Sequence, residues 1–216
     1  MDSSISASRS FSGFSYLWYH FHRLLAQTIL VLFHDFRFRG EENFPKGGFV
    51  LASNHVSFYD PPMVGGTTDR PLYFLARKTL FRTPLMNRWL SSINAIPVDQ
   101  DRPDMVGVKR IIKLLRQGEG VVLFPEGSRS YDGVPFPAMP GIGLIVAKAG
   151  VPVVPCRIFG GHIAWPRDGK IHFFTPIRAV YGKPIYFDEK IEKSKDAYQL
   201  IGNRIMAEIA KLEWEE

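Results

Sequence analysis

Apolar positions recur along this chain with two different periods. Over residues 11–34, FSGFSYLWYHFHRLLAQTILVLFH, the side chains of Phe14, Leu17, Trp18, Phe21, Leu24, Leu25 and Leu32 share one helical face. From residue 36 the pattern breaks into short pieces. FRFRG alternates as an edge strand does, GGFVLAS, PLYFLAR and EGVVLF read as buried strands, and NAIPV reads as a short one. TPLMNRWLSSI, DMVGVKRIIKLLRQG, GIGLIVAKAG and DAYQLIGNRIMAEIAKLEWEE carry helical patterns, the second with a glycine stop. VPVVPC, KIHFFTP and IRAVYGKPI complete the set of expected strands. Strands alternating with helices predict an α/β fold, with a mixed, mostly parallel central sheet flanked by helices. Residues 1–34 are expected to be a Ser-rich disordered start and an amphipathic helix, and residues 35–216 a single α/β domain.

The first helix is long enough to cross a bilayer, since 24 residues at about 1.5 Å rise reach about 36 Å. Its energy is less favourable. About ten Leu, Ile, Phe and Val residues contribute roughly −3 to −6 kcal/mol to insertion, and a central Arg23 costs about +2.5 to +3.5 kcal/mol. His20, His22 and Gln27 add to the cost. The balance predicts a helix lying in the membrane interface, with Tyr16, Trp18 and Tyr19 at headgroup level. The competing reading is a helix packed on the globular core. His20 and His22, two residues apart, face different ways and make a poor metal pair.

The chain has 216 residues, enough for a sizeable core without disulfides or metals. Cys156 is its one cysteine, which excludes an internal disulfide and points to a reducing compartment. Lying in VPVVPC, it reads as a small buried hydrophobe and not as a nucleophile. A formal charge of +6 favours anionic partners. The basic residues are scattered and do not interleave with the aromatics, which argues against nucleic acid.

Three loops expected at strand carboxyl ends carry the chemistry, where open α/β sheets bind ligands. They are SNHVSFYDPP, IPVDQDRPD and FPEGSRSYDG. An imidazole held by a carboxylate has a fixed tautomer and a stabilised cation, as a general base needs. His55 and Asp60 form that pair. No serine sits in a strand–elbow–helix setting, so the substrate supplies the nucleophile. In the third loop Gly127 permits close backbone approach to a ligand, and Arg129 offers a planar fork to phosphate oxygens.

His-x4-Asp, IPVD, FPEGSRS and VPVVP occur in this order over roughly residues 40–180. The combination resembles the glycerolipid acyltransferases of the 1-acyl-sn-glycerol-3-phosphate (lysophosphatidic acid, PlsC-like) type. The resemblance implies His55 as general base, Asp60 as its orienting partner, and Glu126, Gly127 and Arg129 at the acceptor, with Arg129 on its phosphate. Val151 to Pro155 would match a fourth block linked to the acyl-donor side. It implies a membrane-associated enzyme on the cytoplasmic face, peripheral or monotopic. The acyl donor would be a coenzyme A or acyl carrier protein thioester, with no metal or organic cofactor.

Two departures concern the phosphate site. Gln100 stands where the second block usually ends in Arg, with Arg102 two residues on. FPAMPG lacks a Lys often found downstream of the third block. Lys78, in LARKTL, is a candidate for compensating charge. The expected product is phosphatidic acid. Another lysophospholipid or an aminoacyl lipid is the alternative acceptor. A lipid carrier of the same fold is the rival class, against which the intact His–Asp pair argues, and a phosphate-ester hydrolase is a third. Val98 N–H is a candidate oxyanion donor. Nothing in the pattern specifies an oligomer.

Overall fold

The computed structural model describes residues 13–99, 104–167, 169–187 and 194–215. Among these described residues seven strands form one sheet in the order β1-β7-β6-β2-β5-β3-β4. They are β1 (Arg37–Arg39), β2 (Phe49–Ser53), β3 (Leu72–Arg77), β4 (Ala95–Val98), β5 (Gly120–Leu123), β6 (Val153–Phe159) and β7 (Arg178–Tyr181). The helices are α1 (Gly13–His34), α2 (Asp60–Gly66), α3 (Pro84–Ser92), α4 (Met105–Arg116), α5 (Pro140–Ala149), the short α6 (Gly161–Ala164) and α7 (Lys195–Ala210). Five adjacent strands, β6, β2, β5, β3 and β4, run parallel. β7 is antiparallel to β6, and β1 follows β7 in parallel at the edge.

The buried runs explain the middle of the sheet. All five residues of β2 and all four of β5 are buried, as strands covered on both faces must be. Period-two alternation divides them between two cores. Phe49, Leu51, Val122, Val154 and Cys156 face α1 and α2, where Leu30, Met63 and Val64 meet them. Val50, Ala52, Val121, Leu123 and Val153 face α4, α5 and α7, against Ile111, Leu115, Ile145, Ile205 and Ile209.

One expected strand is absent. KIHFFTP turns at Phe173 and Phe174, and Phe174 takes a left-handed φ of 61°. Its backbone is used elsewhere: Phe174 N–H donates to Phe33 O at 2.6 Å, and Ile177 N–H donates to His34 O at 3.0 Å. The carboxyl end of α1 thus takes the bonds a ladder would have taken. α7 also ends earlier than the pattern predicts, at Ala210. Of the expected disordered start, residues 1–13, Gly13 opens α1 and residues 1–12 lie outside the described residues.

The first helix has two working faces. Tyr19, Arg23, Leu30 and His34, spaced by four, seven and four residues, turn inward. Tyr19 and Leu30 are buried, and the Tyr19 hydroxyl accepts from Leu72 N–H at 3.1 Å. Tyr19 is therefore not a headgroup residue as expected, but a clamp on β3. Arg23 donates to Gly66 O at 3.2 Å and pairs with Asp69 at 3.0 Å. The other face carries the predicted apolar stripe uncovered. Phe14, Leu17 and Leu32 are 78%, 68% and 67% exposed, and Trp18, Phe21, Leu24 and Leu25 are also exposed. Among the described residues no helix is long and apolar enough to cross a membrane.

Candidate active site

Because β6, β2, β5 and β3 lie side by side and parallel, their carboxyl ends deliver four loops to one edge of the sheet. β2 delivers the histidine. Asn54, just beyond it, fixes the strand end: its side chain donates to Ile158 O at 3.0 Å and accepts from Ile158 N–H at 2.7 Å. His55 follows, with its ring stacked on Phe124 at 4.0 Å between centroids.

Asp60 opens α2 and is fully buried. One of its oxygens, Oδ2, accepts from His55 Nδ1 at 2.7 Å, Val56 N–H at 2.6 Å and Ser57 N–H at 2.8 Å. This closes residues 55–60 into a loop around one carboxylate. With Nδ1–H committed to Asp60, the lone pair of the imidazole resides on Nε2. Burial pushes the Asp60 carboxyl above its ordinary value, and the His55 ring and the two backbone N–H groups oppose that shift. The spacing of five residues is thus the length of loop needed to fold a carboxylate back onto the imidazole.

The β5 loop locks onto this one. Glu126 is buried, with Oε1 accepting from His55 N–H at 2.7 Å and Oε2 from Phe136 N–H at 2.7 Å. Both oxygens are engaged by backbone, so Glu126 braces the histidine loop. Burial raises its carboxyl above the usual range. Ser130 N–H donates to His55 O at 2.9 Å. Gly127 has φ +70°, and a Cβ there would lie 2.5 Å from Met139 Sδ. Only glycine fits that turn without displacing Met139.

Arg129 lies across the β2 loop. Its Cζ is 3.4 Å from the centroid of the Phe58 ring, and its buried Nη1 has no hydrogen-bond partner among the described residues. Burial lowers its guanidinium from the ordinary arginine value, helped by the charges of Arg167 and Arg77 and opposed by Asp60. Arg77 and Arg167 escape the sequence reading. Arg77 ends β3, and Arg167 follows α6, donating to Arg129 O at 2.8 Å. Arg167 and Arg77 thus both bear on the charge of Arg129, Arg167 also through a bond to its carbonyl. Lys78, the candidate from sequence, starts a 3-10 turn, and its charge bears on Asp104. Gln100 and Arg102 lie outside the described residues.

One other expectation changes. Val98 pairs with Arg77 on the edge strand β4, three strands from β2. At about 4.8 Å per strand that is roughly 14 Å, too far for its N–H to reach an oxygen reacting beside His55. Val151 to Pro155 lead into and open β6, whose Val153 and Val154 are fully buried. Cys156 is fully buried and its thiol is pushed up to about 12 by that burial, as a structural cysteine. Among the described residues no three His, Cys, Asp or Glu side chains are grouped to hold a metal ion.

The sequence model of a family described as Acyltransferase matches residues 35–159, more than half of the chain. The chain is 31% identical over 171 residues to the 1-acyl-sn-glycerol-3-phosphate acyltransferase of Bacillus subtilis (strain 168), covering 78% of this chain and 82% of that protein. It is 31% identical over 175 residues to a chloroplastic 1-acyl-sn-glycerol-3-phosphate acyltransferase of Brassica napus, covering 78% of this chain. The match spans about half of that plant protein, 51%. The crystal structure of the 1-acyl-sn-glycerophosphate (LPA) acyltransferase PlsC from Thermotoga maritima superposes with a TM-score of 0.70 at 26% identity, over 93% of this chain and 81% of that one.

Proposed function

The chain is an acyltransferase, belonging to the family of that name, and we propose that it acylates the free hydroxyl of 1-acyl-sn-glycerol-3-phosphate from a fatty acyl thioester. The observation that carries the mechanism is the 2.7 Å bond from His55 Nδ1–H to buried Asp60, which turns Nε2 into the base. Nε2 takes the hydroxyl proton as the oxygen attacks the thioester carbonyl. The new C–O ester bond forms and the C–S bond breaks. The proton held on His55 then neutralises the leaving thiolate. Asp60 orients the imidazole and stabilises its cation. The donor is a coenzyme A or acyl carrier protein thioester, and the reaction as written needs no metal or organic cofactor.

The acceptor assignment rests on charge. The charges of Arg77 and Arg167 act on Arg129, where the phosphate would sit, and a phosphomonoester carrying close to two negative charges matches that positive field. This offsets the charge lost at Gln100. We place the protein on the cytoplasmic face of a membrane. The uncovered apolar stripe of α1 supports this, and α3 continues it. Trp18 Nε1–H donates to Ser92 Oγ at 3.0 Å, and Leu85, Met86 and Trp89 of α3 are exposed beside it. Neither α1 nor residues 70–98 contain a single Asp or Glu, and the second stretch carries Arg70, Arg77, Lys78, Arg82 and Arg88. An apolar surface bordered by these cations suits an anionic bilayer.

The direct test is release of free thiol from acyl-coenzyme A and from acyl carrier protein thioester. It is run with 1-acyl-glycerol-3-phosphate, with other lysophospholipids and without acceptor. Acceptor-dependent release is expected, strongest with the phosphomonoester. No acceptor-dependent release from either donor would leave a lipid carrier as the better reading.

A further inference from the structure

Phe58 is an exposed aromatic residue in a loop otherwise fully committed to holding His55. Its neighbours in sequence have structural tasks: Val56 and Ser57 donate to Asp60, and the Tyr59 hydroxyl meets His34 Nε2 at 3.3 Å. Phe58 has none of these bonds and is 43% exposed. What it touches is the guanidinium of Arg129, whose Cζ stands 3.4 Å from its ring centroid. The ring is backed by the indole of Trp165, 5.0 Å away. Trp165 is itself fixed, packing edge-on to Tyr59 at 4.8 Å, while its carbonyl accepts from Ser57 Oγ at 3.0 Å.

Arg129 is thus held twice with no carboxylate bridging it among the described residues. Its carbonyl is held by Arg167 Nη1 and its guanidinium face by Phe58. Stacking uses the face of the guanidinium and leaves the N–H groups along its edge, the geometry that meets two oxygens of a phosphate in one plane. The buried, unpartnered Nη1 is a donor in want of an acceptor.

We propose that Phe58 is a positioning residue for the acceptor's phosphate: it presets the plane of Arg129, so that the fork is aligned before the phosphate arrives. The inference rests on the assignment of Arg129 to that phosphate. A flexible arginine loses rotamer freedom on binding, whereas a stacked one has lost it already, so the benefit falls on acceptor affinity. The contact is a cation–π interaction, not simple cover, so an aliphatic residue of similar bulk does not replace it.

The experiment is a steady-state comparison of Phe58→Leu, Phe58→Tyr, Phe58→Trp, Arg129→Lys and the Phe58→Leu/Arg129→Lys pair. 1-Acyl-glycerol-3-phosphate is varied at saturating donor. Phe58→Leu is expected to raise the acceptor KM about 3- to 30-fold with kcat changed less than about twofold, matching the range of cation–π contacts. Phe58→Tyr and Phe58→Trp, which keep the ring, should stay within about twofold of wild type. Arg129→Lys should raise the acceptor KM about tenfold or more, and adding Phe58→Leu to it should cost little further, because the planar fork that the ring orients is gone. Equal kinetics for Phe58→Leu and wild type, or effects of the two changes that simply multiply, would overturn the stack while leaving Arg129 on the phosphate. A fall in kcat shared by Phe58→Leu, Phe58→Tyr and Phe58→Trp would also overturn it and make Phe58 a support of the histidine loop. An unchanged acceptor KM in Arg129→Lys would overturn the phosphate assignment itself, and the stack with it.

Discussion

Glu126 Oε1 accepts the backbone N–H of His55 at 2.7 Å, so the carboxylate of one strand-end loop fixes the main chain of the other. Its second oxygen accepts Phe136 N–H at 2.7 Å. Glu126→Ala strands two N–H donors in a buried place and should destabilise the protein by about 2–4 kcal/mol, from roughly 1–3 kcal/mol per unsatisfied group with partial relaxation. Glu126→Gln keeps one acceptor and should cost less. Urea denaturation gives the stability difference, and thiol-release kinetics should show kcat falling with KM little changed, since the base is displaced and the phosphate corner is not.

Arg77, not Lys78, is predicted to serve the acceptor. The charge of Arg77 acts on Arg129, whereas that of Lys78 acts on Asp104. Arg77→Gln should therefore raise the acceptor KM by several-fold more than Lys78→Gln does. The ratio of the two KM values measures it, and a larger effect at Lys78 would reverse the assignment.

Much of this site was legible before the fold. The His55–Asp60 spacing announced the loop, and the buried runs of β2 and β5 placed it at a strand end. The partners across the site were not legible. Arg167 reaches Arg129 O over 38 residues of chain, and no local pattern encodes such a contact. Arg77 and Lys78 are adjacent in sequence, yet the charge of the first acts on Arg129 and that of the second on Asp104, a division no local pattern encodes. Arg23 read as a cost to membrane insertion, when its largely buried side chain turns inward to Gly66 O and pairs with Asp69 at the surface. KIHFFTP had strand composition, but the end of α1 competed for its backbone and won.

His34 makes stability depend on pH. It is fully buried between Thr175 O and the Tyr59 hydroxyl, and burial lowers its imidazole below the ordinary histidine value. The folded state thus resists a proton that the unfolded chain accepts. Stability from this group is complete above about pH 6.5 and is lost as pH falls below that value. Denaturation midpoints between pH 5 and 7 should rise with pH. His34→Gln should flatten that slope, leaving the contribution of His20, whose imidazole is also lowered by burial.

Membrane contact is predicted at both α1 and α3. Deleting residues 1–34 is a poor test, because Leu30 is core and Tyr19 clamps β3. Single cysteines at Leu17, Leu85 and Lys113 are better. Native Cys156 is buried, with its thiol at about 12, and stays unlabelled. An environment-sensitive dye at positions 17 and 85 should shift to the blue on anionic vesicles, while one at 113, on the opposite face of the sheet, should not. Binding should weaken with salt. A shift at 17 alone would confine the contact to α1.

The central claim is that His55 acts as the base for acyl transfer, and thiol release by His55→Ala tests it most directly. The measurement is acceptor-dependent release from a saturating acyl thioester, with folding of the variant verified by its denaturation midpoint. Loss of a general base slows such a step about 10²–10⁴-fold, and that fall in kcat is expected for a folded His55→Ala protein. Asp60→Asn should also be severe, because an amide in place of Oδ2 disturbs the Nδ1–H contact that leaves Nε2 as the base. Activity of a folded His55→Ala protein within a factor of about three of wild type would contradict the account.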